Sequence, residues 1–81
     1  MKATVDVFLK AGVLDVQGKA VEAALHGLGW TEVTDVRVGR TITFDLNASD
    51  FETAKTDVAA MCERLLANPV IESYRLEVEG S

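Results

Sequence analysis

The stretch TITFDLN, Thr41 to Asn47, alternates without interruption: Ile42, Phe44 and Leu46 fall on one side, Thr41, Thr43 and Asp45 on the other. Successive side chains of a β-strand point to opposite faces, so this period of two specifies a strand with one dry face and one wet face. The pattern recurs near the N-terminus in ATVDVFLK, where Ala3, Val5, Val7 and Leu9 oppose Thr4, Asp6, Phe8 and Lys10. It recurs again in VIESYRLEVE, where Tyr74, Leu76 and Val78 oppose Ser73, Arg75, Glu77 and Glu79. A sheet covered on both faces would read as unbroken apolar runs. These segments therefore call for an antiparallel sheet with one face left open.

A further segment, EVTDVRV from Glu32 to Val38, sets Val36 and Val38 against Asp35 and Arg37. Gly39 follows it, and reads as the turn or bulge of a hairpin that leads into Thr41–Asn47.

Two stretches change period. From Val16 to about Leu28, residues Ala20, Val21, Ala24, Leu25 and Leu28 form a stripe at helical spacing. Asp15 stands where its carboxylate can accept the orphan N–H groups of the first turn, and Gly29 stands where helices often end in a left-handed residue. The second stripe is Ala54, Val58, Met61, Cys62 and Leu65. SDFE, Ser49 to Glu52, has the spacing of a capping box with Ser49 as the cap. Asn68 and Pro69 close this helix, because proline disfavours helical geometry in the residue before it. The expected order is thus β-α-β-β-α-β. Right-handed crossovers place both helices on one face of a single antiparallel sheet, the ferredoxin-like α+β arrangement.

The chain reads as a single domain over residues 1–81, and at this size its core is small. One cysteine excludes an internal disulfide, and a single histidine beside it argues against an all-protein zinc site. Association with another chain is the remaining support, and sheet edges give it a place to occur. A net charge of −5 with scattered Lys and Arg lacks the electrostatic footprint of a nucleic-acid binder. The charges in MKATVDVFLK come too early and too often for a secretory signal, and no apolar run is long enough to span a bilayer. A cytoplasmic protein with a reduced Cys62 is expected.

Candidate chemistry is sparse. His26 has no second ligand at metal-binding spacing, and Cys62 falls on the apolar stripe of its helix as a small hydrophobe would. Glu52, Asp57 and Glu63 decorate a solvated helix face. Gly27 and Gly29 in HGLGW follow a helix rather than a strand, the wrong context for a dinucleotide loop. What stands out is the open sheet face, where Phe8 is an aromatic among polar groups. Phe8, Arg37 and Arg75 are therefore candidates for a protein-contact surface, and Lys10 to Asp15 for a loop that orders on docking. Gly12, Gly18, Gly39, Asn68 and Pro69 read as residues that fix backbone geometry.

Several stretches taken together carry a resemblance. GVLDVQGKAVEAALHGLGW, VTDVRVGRTI and MCERLLANPVIESY closely resemble, in this order and spacing, the PurS family of small subunits of phosphoribosylformylglycinamidine synthase. Val16 departs from it, since the family usually has proline there; proline suits a first helical position, so valine gives a less preorganised helix start. The resemblance implies a complex that converts formylglycinamide ribonucleotide, ATP and glutamine to formylglycinamidine ribonucleotide, ADP, phosphate and glutamate. It implies a glutaminase subunit that releases ammonia and a large synthetase subunit that uses ATP and magnesium. The small subunit would bind no cofactor and supply no catalytic residue; it would bridge the two as a homodimer or a pair of dimers and assist ammonia transfer. Two other readings share the fold plan: an amino-acid-binding regulatory domain of the ACT type, for which a glycine-bearing loop such as that at Gly12 is required, and a small ferredoxin-like enzyme, for which a convergent polar cluster is required.

Overall fold

The strand with the strictest burial alternation lies at the centre of the sheet. In the computed structural model, which describes residues 1–80, β1 spans Lys2–Leu9, and Ala3, Val5 and Val7 are wholly buried along one face. It is flanked on one side by β2 (Arg40–Asp45) and on the other by β3 (Glu72–Glu79), both antiparallel to it. The registers align Val5 with Ile42 and with Leu76, so the apolar sets of all three strands share one face, as their period of two requires.

Helix α2 (Phe51–Met61) covers that face. Ala54, Val58 and Cys62 pack with Ala3, Val5, Val7, Ala67 and Val78 to form the core. The cap differs from the SDFE reading. Asp50, not Ser49, is the N-cap, and its carboxylate accepts from Thr53 N at 2.7 Å. Ser49 Oγ instead donates to Asp50 Oδ2 at 3.4 Å. Asp50 lies three residues before Thr53, the same reach that Ser49 has to Glu52, and a carboxylate is the stronger acceptor for the positive end of a helix.

After Met61 the helix widens into one π-helical turn, Cys62–Leu66, closed by Ala67 N donating to Cys62 O at 3.0 Å. The extra residue in this turn rotates the stripe. Leu65, expected on the apolar face, is 82% exposed, while Leu66 and Ala67 turn inward in its place. Asn68 then builds the turn into β3: its Oδ1 accepts from Val70 N, and its carbonyl from Ile71 N and Glu72 N.

The second helix, α1 (Val16–Gly27), ends as the sequence predicts. Gly29 takes φ +107°, Trp30 N donates to Leu25 O and Gly29 N to His26 O, a Schellman closure that a side chain at Gly29 would strain. Its packing does not follow the expectation. Val21 and Leu28 of its stripe stay exposed, and Gly18 is the one buried residue of the helix. Residues 32–38, read as a strand, lie beside α1 without regular secondary structure and make no ladder to β2; Gly39 therefore closes no hairpin. Among the described residues the sheet has three strands and the order is β-α-β-α-β. The α+β class with an antiparallel sheet and two helices holds, with α1 and its return segment forming an arm beside the sheet layer.

This arm makes the chain long. Its extents are 51 × 27 × 14 Å and its radius of gyration is 16.1 Å, against about 12 Å for a compact domain of this length. Among the described residues no helix is long and apolar enough to cross a membrane. Because the core under α2 is small and tightly filled, Val58→Ala should destabilise the chain by about 2 kcal/mol. Val16→Ala, at an exposed arm position, should cost within about 0.5 kcal/mol; urea unfolding of both variants checks this.

Candidate interaction surfaces

The arm is held at its root by Asp15. Its side chain is 6% exposed and accepts from two backbone amides of different segments: Gly18 N to Oδ1 at 2.8 Å and Val38 N to Oδ2 at 2.7 Å. The first bond is the expected N-cap of α1. The second ties the return segment to the same residue. These two donors, the Val38 amide foremost, hold the Asp15 carboxyl below the ordinary carboxylate range. Gly18 makes the approach possible, because a Cβ there would collide with the Val36 carbonyl oxygen. Further along, Glu22 accepts from Val36 N at 3.4 Å, and His26 Nε2 donates to Val33 O at 2.6 Å. Every contact of this kind pairs a helix side chain with the backbone of residues 33–38, so that segment gains order without joining a sheet.

Arg37 belongs to this root and not to the sheet. Its guanidinium donates to Val13 O at 2.8 Å and lies 3.8 Å from the Asp35 carboxylate. The expected trio on the open face therefore reduces to a pair, with Arg75 stacked 5.5 Å from the centroid of the Phe8 ring. The two are neighbours because Asp6 pairs with Arg75 and Phe8 with Ser73 in the β1–β3 register. Phe8 is 37% exposed there, and Asp6 on the same face accepts from Thr41 Oγ1 across the β1–β2 pair. This face is polar with one aromatic anchor, the composition of a contact surface and of a solvated sheet alike.

At the far end of the strands a third constellation ties both sheet edges to the π-turn. Arg40 donates to both Glu72 carboxylate oxygens, at 2.8 and 3.2 Å, and to Leu66 O at 2.7 Å. Glu72 Oε1 also accepts from Asn68 N at 2.6 Å. The Arg40 guanidinium holds the Glu72 carboxyl low. Beside it Lys10 Nζ reaches Pro69 O at 2.7 Å and Lys10 N reaches Ile71 O. Sequence reasoning passed over Arg40 and Glu72; only the strand order that places Val7 opposite Arg40 and Leu9 opposite Glu72 brings them together. Gly39, one residue earlier, is needed as glycine because a Cβ would stand 2.7 Å from Val7 O. Gly12 takes φ +87° in the turn closed by Val13 N and Lys10 O. Among the described residues no group of His, Cys, Asp and Glu is placed to hold a metal.

The model of the family described as PurS, phosphoribosylformylglycinamidine (FGAM) synthase, matches residues 2–80. The chain belongs to the PurS family. The Bacillus subtilis phosphoribosylformylglycinamidine synthase subunit PurS is 50% identical over 78 residues, covering 96% of this chain and 92% of its own. The Methanocaldococcus jannaschii PurS subunit is 41% identical over 96% of this chain and 94% of its own. The structure of B. subtilis PurS superposes with a TM-score of 0.87 at 49% identity, over 98% of both chains. A chain in the structure of Thermotoga maritima PurLQS superposes with a TM-score of 0.85 at 33% identity, over 94% of this chain and 93% of that one. These superpositions extend over nearly the whole chain, the arm included.

Asp15, Asp50 and Glu72 all have carboxyls held below their ordinary values. Such groups stabilise the fold fully above their unfolded pKa of about 4, and that contribution is lost as pH falls through the lower folded value. Acid unfolding followed by circular dichroism should therefore begin below about pH 4. Asp15→Asn keeps the shape but replaces one acceptor oxygen with an NH2 donor, so one of the two amide bonds is lost and the other weakened; it should flatten part of the profile and lower stability at neutral pH.

Proposed function

We propose that this chain is the small, non-catalytic subunit of an FGAM synthase complex, docking a glutaminase subunit and an ATP-dependent synthetase subunit and assisting ammonia transfer between them. The observation that carries the proposal is its full-length likeness to PurS, including a chain in the structure of PurLQS. One matched structure, that of M. jannaschii PurS, is described as one of the subunits of formylglycinamide ribonucleotide amidotransferase in the purine biosynthetic pathway. Another, from T. maritima, carries the activity number EC 6.3.5.3.

The physical case for such a subunit rests on the fate of ammonia. Released into water it is diluted and protonated, and the ammonium ion has no lone pair with which to attack. Docking the two active sites together makes transfer effectively intramolecular. That task needs surfaces rather than reactive side chains. Cys62, the one thiol, is buried, which pushes its pKa up and leaves it a poor nucleophile. On this reading ATP and magnesium are held by the synthetase partner, and this chain contributes Phe8, Arg75 and Lys10 to docking.

A homodimer is part of the same proposal. The chain exposes 5669 Å², against about 4,700 Å² for a compact monomer of its mass. The difference is a little more than one partner's share of a standard interface, about 800 Å². Leu28 and Trp30 on the arm are 72% and 53% exposed. Ile42 and Phe44 on the core face are partly buried against the core and not fully covered. In the return segment Val36 N and Val38 N face the helix, leaving the opposite backbone edge open for strand pairing. A second copy supplies a cover for both surfaces.

Reconstitution tests the role. With glutamine as nitrogen donor, product formation by the glutaminase and synthetase subunits should require this chain; with ammonium salt it should not. No dependence in either assay would overturn the reading. Phe8→Ala should weaken complex assembly by roughly 1–3 kcal/mol while leaving the circular dichroism unchanged. Sedimentation should give a dimer mass at micromolar concentration, shifted toward monomer by Leu28→Asp.

A further inference from the structure

We infer that the cleft at the root of the arm is a binding site for a free α-amino acid. The cleft has a volume of about 320 Å³ and lies between the Gly12–Asp15 loop, Lys19 and Glu22 of α1, and Asp35–Arg37. That volume is at the lower end of the range for small-molecule pockets. Two cations, Lys19 and Arg37, and two carboxylates, Glu22 and Asp35, line it together with the apolar side chains of Val13 and Leu14.

Two of these charges, Lys19 and Glu22, are little used by the fold, while Arg37 and Asp35 lie 3.8 Å apart on the rim. Lys19 and Glu22 stand one helical turn apart, yet among the described residues the ion pairs are Arg37–Asp35 and Arg40–Glu72. Glu22 receives one long hydrogen bond, at 3.4 Å from Val36 N. Arg37 is anchored through one nitrogen to Val13 O, which fixes its plane at the cleft and leaves further N–H groups to donate. Asp35 sits at φ +54°, in the left-handed region that residues with side chains seldom adopt, and its strained backbone forms part of the rim.

The balance of charge selects the ligand. A simple anion would gain Lys19 and Arg37 but face Glu22, Asp35 and the buried carboxylate of Asp15. A simple cation would be repelled by the two basic groups. A zwitterion satisfies both sets: its carboxylate meets Lys19 and Arg37, its ammonium meets Glu22 and Asp35, and its side chain lies on Val13 and Leu14. Asp15 takes no part, because its two oxygens are engaged by Gly18 N and Val38 N.

The test is a ¹H–¹⁵N NMR titration of the full chain with single amino acids, among them glutamine, glutamate, glycine and leucine. Each is compared with its N-acetyl and its carboxamide derivative. Saturable shifts at the amides of residues 12–15, 19–22 and 35–37 are expected with at least one free amino acid at millimolar concentration. Blocking either charged end should weaken binding tenfold or more, as should Lys19→Ala and Glu22→Gln. Lys19 is exposed and Glu22→Gln keeps an oxygen to accept from Val36 N, and an unchanged spectrum outside the cleft verifies the folding of both variants. Absence of saturable shifts with every amino acid would overturn the inference. Equal binding of the blocked derivatives, or binding unaffected by the substitutions, would overturn it too. None of these readouts involves the glutaminase or the synthetase, so failure here leaves the bridging role standing, and the reverse.

Discussion

One carboxylate joins the two parts of this molecule. Asp15 begins α1, as its place in the sequence suggests, and its second oxygen accepts from Val38, the last residues of the segment that returns from that helix. Helix and return segment thus leave the sheet and re-enter it through a single buried acid. Along the arm the same logic repeats with Glu22 and His26, each satisfying a backbone group of residues 33–38 from a helix side chain. Buried or half-buried peptide groups must be paired somewhere. Here side chains of α1 do part of what a neighbouring strand would otherwise do.

The sheet is a conventional layer by comparison. β1 is central, its buried face closes on α2, and the Arg40–Glu72 pair fastens the two edge strands to the π-turn that ends the helix. The pair is half exposed on the arginine side, so its Coulomb energy is modest. Its geometric effect is larger, because one guanidinium fixes β2, β3 and the Leu66 carbonyl together. The consequence for function is a division of labour within the chain. A small rigid layer carries an open face with Phe8 and Arg75, and a projecting arm carries exposed apolar groups. Neither surface is consumed in stabilising the chain's own core, which leaves both available to other chains.

Much of this was legible beforehand. The three strands of the sheet, the presence of both helices, the Asp15 cap and the left-handed Gly29 follow from period, capping chemistry and glycine's freedom at positive φ. The misreadings are specific. Ser49 and Asp50 are both good caps at adjacent positions, and local chemistry alone did not separate them. Leu65 continues the helical period of α2, but a π-turn inserts a residue into the repeat and carries Leu65 outward. Arg37 alternates with Val36 and Val38 as a strand residue should, yet its segment pairs with a helix, so it never reaches the sheet face assigned to it.

The sequence by itself determined the local states and the faces: which residues are extended or helical, and which side of each element is apolar. Those follow from backbone sterics and side-chain spacing, which act over a few residues. Tertiary structure alone decided what each apolar face meets. The stripe of α1 is as good as that of α2 in sequence, but only α2 lies on the sheet, because Asp15 and Gly18 hold α1 against residues 36–38 instead. The meeting of Arg40 with Glu72, and of Phe8 with Arg75, depends likewise on strand order and register, which bring together residues more than thirty positions apart.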